Sequence, residues 1–113
     1  MTKSMEELRT LRLKIEAEFK EQLNRFKSED ATTKDKASSR IQSLYSGVMW
    51  HHKKAWERYE NALNIVATDR SNGFEEDARR AETQAAEALE TNLRVSQKQL
   101  EDFKADYPEE VEN

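Results

Sequence analysis

Arg70-Ser71-Asn72-Gly73-Phe74-Glu75-Glu76-Asp77 decides how this chain folds. Asn and Gly accept the left-handed backbone that closes a helix C-terminus, and three acids directly after Phe74 suit the positive end of a new helix. A reversal is therefore predicted at 71–73. On its N-terminal side Ile41, Tyr45, Val48, His52, Ala55, Tyr59, Ala62 and Val66 recur at spacings of four and three, the repeat of a helix lying along a neighbour. Met49, Trp56 and Leu63 widen that seam, which suits contact with two helices. On the C-terminal side a helix runs to Tyr107, where Pro108 and an acidic tail end it.

Helices of matching length that reverse at this turn bring together residues whose numbers sum to about 144. Val66 then meets Ala78, Tyr59 meets Ala85, Ala55 meets Leu89 and Ile41 meets Phe103, so large side chains face small ones midway. The same register sets His52 opposite Asn92 and Tyr45 opposite Gln99, two polar layers in an apolar seam. Charge agrees: residues 34–70 carry seven Lys or Arg against four Asp or Glu, and residues 71–113 carry five against twelve. A second stripe on the last helix, Ala86, Leu93, Leu100 and Tyr107, is left for another helix, while the Ala85, Asn92, Gln99 line takes the hairpin partner.

That other helix is the first. Ser4-Met5-Glu6-Glu7 is a capping box, and Leu8, Leu11, Ile15, Phe19, Leu23 and Phe26 then mark one apolar stripe. The period is lost at 28–35, which is read as the first connection. The expected architecture is all-α: an antiparallel three-helix bundle built on a long α-hairpin with coiled-coil-like packing. It forms a single helical domain over 1–113, with helices at about 5–28, 34–70 and 74–107 and an acidic tail at 108–113. The first helix is too short to cover the hairpin and leaves about 15 Å bare at one end. A second copy filling that gap makes a homodimer the expected assembly.

Composition narrows the function classes. The chain has 113 residues, two Gly, one Pro and no Cys, so a many-turned β fold, a disulfide framework and a thiolate nucleophile are all excluded. No apolar run is long enough for a membrane span, and Met1 to Glu7 lacks the order of a signal peptide, so a cytoplasmic location is expected. A net charge of -4 makes nucleic acid an improbable general partner.

His51-His52 is the one place where metal or acid–base chemistry suggests itself. Adjacent helical residues point about 100° apart and do not converge on one ion. His52 is read as a satisfied interface histidine and His51 as a solvated one. No catalytic residue, cofactor or metal ligand is assigned, and the chain is not read as an enzyme.

Val48 to Tyr59 is the most unusual segment. No acid occurs from Ile41 to Trp56, and Tyr45, Trp50, Trp56 and Tyr59 cluster around two lysines and an arginine. Trp56 lies beside the seam and is read as packing. Trp50 falls on the outward face with Gly47 one turn before and Lys54 one turn after, the composition of an interface hot spot. Trp50, His51, Lys53, Lys54 and Arg58 are therefore the predicted partner-binding residues of a protein–protein interaction module, an adaptor, regulator or small assembly subunit. The alternative is a small nucleic-acid-associated protein in which the same cations meet phosphates while Trp50 stacks on a base. In size the chain resembles small secreted helical hairpins with W-x-G in the turn, yet its turn reads Ser71-Asn72-Gly73.

Overall fold

The computed structural model describes residues 3–27 and 34–108. Three helices make up the fold, α1 Met5–Lys27, α2 Lys34–Ser71 and α3 Glu75–Asp106, in an elongated bundle of 62 × 26 × 17 Å. The all-α three-helix architecture is thus the one expected, with helix ends within a residue of the sequence reading wherever they are described. The first connection and the acidic residues after Pro108 lie outside the described residues.

The start of α1 is the anticipated reciprocal cap: Glu7 N–H donates to Ser4 Oγ at 3.2 Å and Ser4 N–H to Glu7 Oε1 at 3.3 Å. The turn after α2 closes as a Schellman motif, in which Phe74 N–H donates to Asp69 O at 2.9 Å and Gly73 N–H to Arg70 O at 3.2 Å. Gly73 carries the left-handed conformation this requires, with φ +88°. The two bonds occupy carbonyls that would otherwise end the helix unpaired, and α3 turns back along α2.

α1 lies antiparallel to α2 and parallel to α3. Glu16 meets His52 and Lys20 meets Tyr45 along one side, while Lys3 pairs with Glu90 and Arg25 reaches Tyr107 along the other. Leu8, Ile15, Phe19, Leu23 and Phe26 are buried, each worth about 1.5–3 kcal/mol of apolar transfer. The end away from the turn is sealed by aromatics: Phe26 stands edge-on to Phe103 with centroids 5.6 Å apart, and Tyr107 stacks obliquely on Phe103 at 5.0 Å. Arg25 donates to the carbonyls of Tyr107 and Pro108 at 2.9 and 2.8 Å, satisfying the C-terminus of α3 from α1.

At the turn end α1 stops beside Tyr59 and Ala86, so the hairpin beyond them has only two helices, as the length argument anticipated. That end is polar. Arg70 bonds Glu75 at 3.1 Å and Glu82 at 3.2 Å, so a partner seated there would have to bury charge.

Two expectations about the seam are corrected. His52 does not pair with Asn92, because its ring meets Ser96, one turn further along α3; a side chain on one helix enters the space between two on its neighbour. Tyr45 does not pair with Gln99 either. Tyr45 turns toward α1, where the Lys20 ammonium lies 5.5 Å from its ring centroid, and Gln99 is exposed. The Ala85, Asn92, Gln99 line is therefore only partly covered, and α2 meets α3 through Leu89, Ser96 and Phe103 instead.

Candidate functional site

α2 presents two kinds of polar group from consecutive residues. His52 points inward and is fully buried. Its Nδ1 lies 2.8 Å from Glu16 Oε2 on α1, and its Nε2 lies 2.6 Å from Ser96 Oγ on α3. One imidazole thus joins all three helices. Ser96 Oγ also reaches Leu93 O at 2.8 Å, so two arrangements satisfy every atom. With a neutral ring, Nδ1–H donates to Glu16 and the serine hydroxyl donates to Nε2. With an imidazolium, both ring nitrogens donate and the hydroxyl turns to Leu93.

Glu16 is held on its other side by Arg12 Nε at 2.8 Å. Burial alone would push the Glu16 carboxyl up, but the hydrogen bonds from His52 and Arg12 outweigh it and leave it below its ordinary value. The Arg9 and Arg12 guanidiniums lie 5.6 and 5.5 Å from the Trp56 ring centroid, covering it from α1. Trp56 is packing, as read from the sequence.

The order serine, histidine, carboxylate is that of a hydrolase triad, but its setting is structural. Ser96 is 4% exposed and lies inside α3, where backbone N–H groups are spent on the helix ladder and cannot form an oxyanion hole. Among the described residues, no group of three or more side chains converges to hold a metal.

The outward face carries the predicted contact residues. Trp50 is 56% exposed, so α1 does not cover it. Its ring stands edge-on to His51 with centroids 5.0 Å apart, and the Lys54 ammonium lies 5.9 Å from its centroid. His51 lines one part of a groove between α2 and α3, with Val48, Asn92, Val95, Ser96 and Gln99. Arg58 lines the next part, with Ala55, Ala62, Ala85, Ala88, Leu89 and Asn92. Trp50, His51, Lys54 and Arg58 therefore share one side of α2.

Lys53, also exposed, lies on the other flank of Trp50, three residues on and about 60° around the helix, while His51 lies about 100° the other way. Sequence reading missed the groove itself and the tie to Glu16 and Ser96. The run of Ala85, Ala88 and Asn92 at helical spacing was the available signal for the groove, and nothing in the sequence singled out Ser96.

No helix among the described residues is long and apolar enough to cross a membrane. The chain matches no protein family, no curated protein and no solved structure with which it was compared.

Proposed function

We propose that this chain is a protein–protein interaction module, an adaptor, regulator or small assembly subunit that works by presenting the Trp50 side of α2 to another protein. One observation carries the reading: a tryptophan 56% exposed on the outer side of α2, with His51 and Lys54 against its ring. Exposed aromatic area of this kind gains free energy only when covered, and Trp and Arg dominate measured contact energies. His51 supports one edge of the indole and Lys54 lies over it, so the ring is held ready at little entropic cost. No catalytic step is assigned to any residue. A cytoplasmic setting and assembly as a homodimer belong to the same reading, with the second copy as one candidate partner.

Affinity capture from the native host, with the wild-type chain and Trp50→Ala as parallel baits, tests it. Partners recovered by the first and lost with the second are expected, since truncating a hot-spot tryptophan costs about 2 kcal/mol or more. Identical recovery by both baits would overturn the assignment. The nucleic-acid alternative separates by salt: phosphate-driven binding falls steeply from low to physiological salt, and an aromatic-anchored protein contact does not.

A further inference from the structure

The hairpin has two broad faces, and α1 covers one. On the other, α2 and α3 leave a shallow groove along the stretch from Ala62 to Val48, about 21 Å at the helical rise, with Asn92 shared by its two halves. Its half beside Arg58 is walled mainly by small apolar side chains, Ala55, Ala62, Ala85 and Ala88; the half beside His51 sets Val48 and Val95 among the polar Asn92, Ser96 and Gln99. Alanine walls let another helix approach within the 8–10 Å typical of packed axes.

The charge at its margins is one-sided. The α2 margin carries Arg58, with Lys54 one turn before it on the same side of the helix. The α3 margin is Ala88, Asn92, Val95 and Gln99, all uncharged. Among the described residues Arg58 makes no ion pair, and the contact of Lys54 with Glu57 is exposed and 3.6 Å long, which water and salt screen. A chain of net charge -4 thus sets a cation, Arg58, on the α2 side of this groove and no charge on the α3 side.

This inference rests on the reading of the Trp50 side as a protein-binding surface and names what binds. We propose that the groove receives an amphipathic helix of a partner protein, its apolar stripe bordered by Glu or Asp on one side only. The stripe lies over Ala55 and Ala88, the acids reach Arg58 and, one turn before it, Lys54, and the uncharged border rests on Val95 and Gln99. A second copy of the chain fits less well. Its exposed large apolar side chains, among them Met5, Leu13, Ile65 and Phe74, form no stripe along one helix. Two alanine-walled grooves laid face to face would also leave the space between them unfilled.

The test uses a fluorescein-labelled peptide of roughly 18 residues with Leu at i, i+4, i+7 and i+11 and Glu along one flank, titrated into the full chain. A twin carries Lys in place of Glu, and a control carries Ser in place of Leu. The Glu peptide is expected to bind about tenfold more tightly than its Lys twin, the Ser control not to bind, and amide shifts to centre on Val48, Ala55, Ala88 and Val95. Arg58→Glu should reverse the preference between twins. Ala88→Glu, at an exposed position, should abolish binding with helix content unchanged.

Equal affinity for the twins, shifts centred on α1, or no binding by any peptide would overturn the proposal. Its failure is separable from failure of the broader reading. A host partner lost on Trp50→Ala yet indifferent to Ala88→Glu keeps the protein-binding role and removes the groove helix. Sedimentation equilibrium covers the remaining occupant, since a dimer that Ala88→Glu dissociates assigns the groove to a second copy and overturns the proposal as well.

Discussion

Where α1 lies on the hairpin, Leu8, Ile15, Phe19, Leu23 and Phe26 are buried against it; on the opposite face the same two helices offer Ala62, Ala85, Ala88 and Val95, half-buried or exposed. The difference is one of volume. Large side chains on α1 fill the space between α2 and α3 and hold a third helix permanently, whereas an alanine-walled face leaves room for a helix the chain does not itself supply. Both faces share one central residue pair, because His52 bonds Ser96 and Ser96 also lines the open groove. A side chain seated on the groove therefore comes close to the group that ties α1 in place.

Truncation on the covered face should break this contrast most severely. Phe19→Ala is expected to cost about 3–5 kcal/mol, read as a lower urea midpoint with the slope unchanged, while Ala88→Glu on the open face should stay within about 0.5 kcal/mol of wild type. Next comes the tie between the faces. Glu16→Ala leaves the His52 and Arg12 donors without their acceptor and should cost about 3 kcal/mol.

Acid should weaken the covered face selectively. The Glu16 carboxyl titrates lower in the folded chain than its ordinary 4.5, so its contribution is complete above that value and is lost as pH falls through the folded-state value. Urea titrations from neutral to acid pH should show a shallower loss of stability below 4.5 for Glu16→Gln than for wild type. A parallel decline in the two proteins would mean the carboxylate contributes nothing. Gly73→Ala should cost about 1–2 kcal/mol from left-handed strain alone, since a Cβ there meets no atom within 4 Å. Trp50→Ala should move stability least, within about 0.5 kcal/mol, and affinity for a partner most.

Much of the fold was readable because its signals are local. Ser4 and Glu7 announce a cap three residues apart, Gly73 marks the left-handed position of the turn, and the Leu8 to Phe26 stripe names the buried side of α1 without knowledge of its partner. The His52 tie was not readable. Choosing between Asn92 and Ser96 takes a register finer than one turn, and finding Glu16 takes the placement of α1, which no local pattern reports. The placement of the proposed contact residues was legible from helical spacing alone: Lys53 and Lys54 stand three and four residues after Trp50, His51 stands beside it, and Arg58 lies one turn beyond Lys54. The groove went unseen because alanines at helical spacing read equally well as a tight seam.

The imidazole of His52 also acts as a gauge of alignment. Were α1 to slip along the bundle by one helical turn, about 5.4 Å, position 16 would be replaced opposite the ring by Arg12 or Lys20, both cations, in either direction. The lone acid in that column of α1 therefore favours one depth of insertion, because a slipped bundle would set a cation against the ring and lose the bond between Nδ1 and the Glu16 carboxylate.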